Sequence, residues 1–129
     1  LEGSFGSMPG AISKGSAKFA DLAAANGMDG SAPYVGESYD AAAIIALAIQ
    51  AGGSADRKSI LSNISKVSNA PGIVINPGQL AYGLQMLAAG KDIDYQGATD
   101  VEFNAFGDAA GAFKELEVSG GTFVTVGAL

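Results

Sequence analysis

The stretch "PYVGESYDAAAIIALAIQAGG", residues 33 to 53, sets the main requirement that the fold of this chain must meet. Proline fixes its own φ and biases the preceding residue towards extended backbone, so residues 33 to 35 are predicted to be extended. Ser38 can cap a helix over residues 39 to 51, which Gly52 and Gly53 end. Because apolar side chains surround this helix at residues 41 to 49, we predict an inner helix that is covered on most sides.

Three further helices are predicted around this one. The first covers residues 11 to 27 and ends at an Asn-Gly pair, with its apolar face formed by Ile12, Phe19, Leu22 and Ala23. The next covers residues 54 to 70 behind Ser54 or Asp56 as its cap, with an apolar stripe formed by Ile60, Leu61, Ile64 and Val67. The last covers residues 79 to 91 and carries Leu80, Leu84 and Leu87 ahead of Gly90.

Extended segments are interleaved with these helices, which predicts the α/β class. Residues 1 to 10 have the pattern of a strand end followed by a Gly/Ser/Pro connector, and residues 73 to 76 have that of a short strand. Residues 112 to 127 alternate around Gly120-Gly121, which predicts a closing β-hairpin. A parallel sheet that could cover the helix at residues 41 to 49 is not evident, so we expect a chain that starts partway through a larger protein.

Composition excludes several classes of function. The net charge of −6, without a run of Lys or Arg, disfavours nucleic acid and anionic membrane surfaces as partners. The chain has no Cys and no His, which removes thiolate and imidazole metal sites and every nucleophile that depends on an imidazole base. An enzyme is therefore disfavoured, and no cofactor is predicted.

The acidic stretch "GKDIDYQGATDVEFNAFGDAAG", residues 90 to 111, raises the alternative of a calcium loop. An EF-hand loop that began at Asp92 would have Asp94 and Gly97 in their proper places. Its bidentate Glu would be misplaced, because Phe103 stands where that ligand belongs and Glu102 comes one residue early. We therefore predict no metal site here, but a loop and strand that lead into the hairpin.

Three other motifs have two interpretations each. "GESYD", residues 36 to 40, resembles a nucleophile elbow without its second Gly, and a helix cap explains it better. "GSFGSMPG", residues 3 to 10, has glycines that could hold a phosphate, although a connector is the simpler use. Tyr34 precedes the inner helix at the kind of strand-to-helix edge where open α/β folds bind ligands, and the alternative is an aromatic buried in the core.

Three segments in order give the chain a resemblance to the C-terminal part of type 1 periplasmic solute-binding proteins, the leucine/isoleucine/valine-binding-protein-like receptors of ABC importers. They are residues 33 to 60, residues 71 to 99, and "VEFNAFGDAAGAFKELEVSGGTFV" at residues 101 to 124. The last departs from the family pattern at Asn104 and Ala105, where two acidic residues are common.

The resemblance implies two α/β lobes with Rossmann-like topology, joined by three crossovers and closing on a ligand about a hinge. Residues 1–10 would be an inter-lobe crossover, residues 11–111 would belong to one lobe, and residues 112–126 would form the closing hairpin, so the chain would not be a complete domain. The rest of the protein, N-terminal to this chain, would supply most ligand contacts. Tyr34 matches the aromatic that lines the pocket for the ligand side chain.

The function that the resemblance implies is that of a periplasmic, non-enzymatic receptor. It would bind a small solute, such as a branched-chain amino acid or a related small carboxylate or amide, and deliver it to an ABC permease in the membrane. A sensory or regulatory ligand-binding domain of the same fold is the alternative.

Overall fold

Helices and strands alternate along the whole of residues 1–129, all of which the computed structural model describes. The helices are α1 Lys14–Ala25, α2 Val35–Gly52, α3 Arg57–Ser68 and α4 Leu80–Ala88. The strands are β1 Phe5–Pro9, β2 Ile73–Ile75, β3 Ile93–Tyr95, β4 Phe113–Ser119 and β5 Thr122–Ala128. The predicted mixed α/β class and the four helices are confirmed.

The helical body, which we define as residues 12–108, contains the main core. Strands β2 and β3 pair in parallel, from Ile73 opposite Ile93 to Ile75 opposite Tyr95, and α2 packs against both α3 and α4. The central cluster of buried side chains comprises Ala43, Ile44, Leu47, Ala48, Val67, Ile75, Ile93, Tyr95 and Val101. Helix α2 contributes four of these nine residues and is therefore the centre of the body.

Helix α2 is open on one side. Ala43, Ile44, Leu47 and Ala48 are buried, while Ala41, Ala42 and Ile45 on the opposite side are exposed. The prediction of an inner helix therefore holds for the face towards α3, α4 and the parallel strands, and within this chain it fails for the other face. The reason is the small size of the sheet, since β2 and β3 have three residues each.

The start of α2 was predicted wrongly. Residues 33 to 35 are not extended: the helix begins at Val35, and Tyr34 precedes it in the left-handed region with a φ of 64°. Ser38 lies inside the helix, where its Oγ donates a 2.7 Å hydrogen bond to the Tyr34 carbonyl oxygen and leaves the helix N-terminus without a side-chain cap. The predicted end is confirmed, because Gly53 has the left-handed φ of 63° that glycine favours after a helix.

Two of the predicted apolar stripes need correction at one residue each. In α1, Phe19 and Ala23 are buried as predicted, but Ile12 precedes the helix and is exposed. In α3, Val67 is buried as predicted. Leu61 is exposed, because its side chain lies on the side of α3 that α2 does not cover. Both helices still pack through one face.

Strands β1, β4 and β5 form a separate antiparallel sheet, the terminal sheet, in the order β1-β4-β5. The hairpin between β4 and β5 is confirmed, with Gly120 at φ 61° and Gly121 at φ 78° in its turn. Strand β1 pairs with β4 from Phe5 opposite Glu117 to Pro9 opposite Phe113. The expected connector at residues 3 to 10 is thus largely strand, because β4 supplies backbone partners that outweigh the weak strand preference of Gly and Ser.

None of the four helices combines the length and the apolar character that crossing a membrane requires.

Candidate functional site

An apolar cavity of about 300 Å³ lies where the helical body meets the segments that lead into the terminal sheet. The body contributes side chains of α2 and of the loop after β3. The other side consists of Pro9 and Ala11 from the first connection and residues 109–113 from the second. The apolar side chains that line it from the body are Ala41, Ile44, Val101 and Phe103.

Tyr34 lies at the rim of this apolar cavity. Its side chain is 62% exposed, so the alternative of an aromatic buried in the core is wrong. A left-handed φ is uncommon for a bulky residue, and Tyr34 adopts it directly before the first turn of α2. The assignment of Tyr34 to ligand binding remains a prediction.

Asp40 is a buried residue among those that line the apolar cavity. It is 2% exposed, and its two carboxylate oxygens accept four hydrogen bonds. Oδ1 accepts from the Tyr95 hydroxyl and from the Ala98 N–H, each at 2.8 Å. Oδ2 accepts from the N–H and the hydroxyl of Thr99, at 2.9 and 2.7 Å. These bonds fasten the loop after β3 to helix α2.

The pKa values of Asp40 and its partner Tyr95 are both raised. Burial disfavours the charged carboxylate and raises the pKa of Asp40, although the hydrogen bonds from Ala98, Thr99 and Tyr95 oppose this effect. Burial, together with the neighbouring Asp40 charge, raises the pKa of Tyr95. Tyr95 therefore keeps its proton and acts as a donor to Asp40.

The sequence interpretation missed the role of Asp40. The only sign of it was a single carboxylate at the start of the apolar run at residues 41 to 49. Its partners lie 55 to 59 residues further along the chain, where nothing in the local pattern points back to it. The neighbouring Gly97 has a left-handed φ of 60°, and a Cβ there would clash with Asp40 Oδ1.

A second cavity of about 380 Å³ adjoins the apolar one, and we call the two together the groove. The two cavities share Pro9, Ala11, Glu37 and Thr99 among their lining residues. Two charged side chains of opposite sign line the second cavity. Glu37 belongs to the first turn of α2 in the body, and Lys114 belongs to β4 in the terminal sheet.

The other two motifs find structural uses. All five residues of "GESYD" lie within α2 rather than on a strand-to-helix turn, so this motif is neither a nucleophile elbow nor the predicted cap. In "GSFGSMPG", residues 5 to 9 form β1, and the Gly10 N–H donates a 3.0 Å hydrogen bond to the Ala112 carbonyl oxygen. The two connections between body and sheet are thus joined to each other.

The acidic stretch is dispersed over the body. Asp94 is buried in β3, where its Oδ2 accepts a 3.1 Å hydrogen bond from Gln96 and its Oδ1 has no partner. Asp92, Glu102 and Asp108 are exposed. No three carboxylates of the chain come close enough together to hold a metal ion.

Comparison with known proteins identifies no relative: no family model, curated protein or solved structure matches this chain.

Proposed function

We propose that this chain is the C-terminal segment of a two-lobed periplasmic receptor that binds a small apolar amino acid and delivers it to an ABC permease. In this proposal the helical body belongs to one lobe, and the terminal sheet belongs to the other. The segment has no catalytic role. Its task is to form part of the cleft and to take part in hinged closure.

The observation that supports this best is the division of the chain into two parts with a groove between them. Only residues 9–11 and 109–113 run between body and sheet, and both line the groove. The strands of the terminal sheet pair with one another, whereas the helices pack within the body: α2 contacts α3 and α4, and Phe19 of α1 packs against Tyr39 of α2. Two connected parts on either side of a cleft are the arrangement that hinge closure around a ligand requires.

The residues that line the apolar cavity support a ligand with a small apolar side chain. Ten of its fifteen lining residues are hydrophobic, and its volume is at the lower end of the range for small-molecule sites. Tyr34 is exposed at its rim and would lose water contact if a second lobe closed over it. A side chain the size of that of leucine or valine suits a cavity of this size and character.

The exposed apolar surface supports the proposal that this chain is part of a larger protein. Phe5 and Phe123 of the terminal sheet are 69% and 71% exposed, and Ile45 on the open side of α2 is 46% exposed. Exposed apolar patches mark surfaces that bind other protein or ligand. In the proposal, the rest of the receptor covers the terminal sheet.

The proposal is tested on the complete polypeptide that contains this chain. An antibody against residues 1–129 isolates it from its native source, and mass spectrometry gives its length. Thermal unfolding then follows in the presence of a panel of amino acids. We expect a polypeptide longer than this chain, with a melting temperature that leucine, isoleucine or valine raises and that aspartate and lysine do not. A panel in which no amino acid raises the melting temperature would contradict the proposal.

A further inference from the structure

Two charged side chains of the groove, Glu37 and Lys114, belong to different parts of the molecule. Glu37 is half-buried on the body side, where it lines both cavities, and it lies outside the hydrogen bonds that hold Asp40. Lys114 is half-buried on the sheet side and extends along the first connection. A Cβ placed on Gly10 would lie 3.1 Å from its Cε and 3.4 Å from its Nζ.

From this arrangement we infer that Glu37 binds the ammonium group and Lys114 the carboxylate of an α-amino acid whose side chain occupies the apolar cavity. The inference rests on the proposed function and assigns charged ligand contacts to this chain. The resemblance had left those contacts to the rest of the protein, and had given this chain Tyr34 alone.

The chemistry of closure favours a zwitterion over a singly charged ligand. When the groove closes, water leaves Glu37 and Lys114, and a desolvated charge is costly unless an opposite charge or a set of hydrogen bonds replaces the water. A zwitterion presents both signs within a few bonds of each other. It can therefore neutralise a carboxylate on one side of the groove and an ammonium on the other.

The same arrangement couples binding to closure. Because Glu37 is on the body and Lys114 is on the sheet, one ligand that contacts both links the two parts. In this proposal those contacts are made together only in a closed groove, and such differential contacts shift an open–closed equilibrium. Asp40, whose oxygens are already occupied by four donors, contributes no free acceptor to the ligand.

The assignment is tested by calorimetry on the complete polypeptide with three probes of matched shape. L-leucine carries both charges, 4-methylpentanoate lacks the ammonium, and 3-methylbutylamine lacks the carboxylate. We expect Glu37→Gln to weaken leucine binding by about 30-fold or more and to leave 4-methylpentanoate binding as strong or stronger, because that probe gives the Glu37 carboxylate no partner. Lys114→Gln should weaken leucine binding by a similar factor and leave 3-methylbutylamine binding as strong or stronger, because that probe gives the Lys114 ammonium no partner.

Matched controls are the same charge changes elsewhere on the body. Glu102→Gln and Lys18→Gln alter exposed side chains that do not line the groove, and leucine binding should not change. If the two groove variants bind leucine as well as wild type does, or lose leucine and the truncated analogue equally, the assignment is wrong and the proposed function stands. If wild type binds no amino acid, the proposed function and this assignment fall together.

Discussion

The helical body and the terminal sheet are built from the same chain but are stabilised in different ways. The body buries a cluster of nine apolar residues, among them Leu47 and Ile75 with no exposed surface. The terminal sheet has Val118 as its one buried residue, and Phe123 is 71% exposed. The body therefore has a core of its own. The sheet is held together by backbone pairing, and its apolar side chains are exposed on its surface.

The largest expected effect on stability comes from replacing one large apolar side chain in each part. Leu47→Ala should lower the free energy of unfolding of the complete polypeptide by about 2–5 kcal/mol, because it opens a cavity in the core. Phe123→Ala should lower it by less than about 1 kcal/mol, since little surface is lost from contact. Urea unfolding followed by circular dichroism measures both. Equal losses would show that the terminal sheet has a packed core of its own.

A second comparison uses two glycines with the same backbone angle. Gly97 in the body has φ 60° and Gly120 in the hairpin has φ 61°, so an Ala at either position pays about 1 kcal/mol for a left-handed backbone. Nothing lies within 4 Å of a Cβ at Gly120, whereas a Cβ at Gly97 would clash with Asp40. Gly97→Ala should therefore cost roughly 2 kcal/mol more than Gly120→Ala. The same urea titration tests this, and equal costs would mean that Asp40 moves aside freely.

Regions formed by interactions between residues close in sequence were predicted correctly, and regions formed by interactions between residues far apart in sequence were not. The end of α2 at Gly53 and the turn at Gly120-Gly121 depend on local backbone angles, and both were predicted correctly. Strand β1 depends on pairing with β4, more than 100 residues later, and the Asp40 hydrogen bonds join residues 55 to 59 apart. Neither leaves a periodic pattern in the sequence, so both were missed.

The candidate site was also predicted only in part, because its residues come from distant parts of the sequence. Tyr34 was selected because it precedes an apolar helix, and it does lie beside a cavity. Its left-handed backbone was not expected, because residues 33 to 35 were predicted to be extended. A proline restricts its own φ and the residue before it, so Pro33 leaves Tyr34 free to adopt a positive φ. Glu37 and Lys114 are far apart in sequence, and only the folded chain brings them to one cavity.

Tyr34 allows binding to be separated from folding. In the complete polypeptide, Tyr34→Ala should weaken binding of a branched-chain amino acid by roughly 1 to 3 kcal/mol, about ten- to hundredfold in affinity. The melting temperature without ligand should change little, because the side chain is 62% exposed. Tyr34→Phe, which keeps the ring, is the matched control. Calorimetry beside melting curves decides the matter, and a variant that binds normally but melts much earlier would exclude Tyr34 from the site.

The smallest expected effect is a dependence of stability on pH through Asp40. Burial raises its pKa in the folded chain above its ordinary value of 3.8, so the folded chain holds the proton more tightly than the unfolded chain does. This contribution to stability is complete below about pH 3.8 and is lost as the pH rises through the raised pKa. The stability of wild type relative to Asp40→Asn should therefore decline across that window. Parallel curves in thermal unfolding at several pH values would argue against a protonatable Asp40.

The most direct test of two parts closing on a ligand is a distance between spin labels, one on each part. The chain has no Cys, so Ser62→Cys on α3 and Thr122→Cys on the hairpin provide two exposed attachment points within it. Pulsed electron paramagnetic resonance on the complete polypeptide then gives the distance with and without L-leucine. We expect leucine to replace a broad distribution with a narrower one at shorter distance, because the ligand contacts both parts only when the groove is closed. Identical distributions at a leucine concentration that saturates binding would contradict closure between the helical body and the terminal sheet.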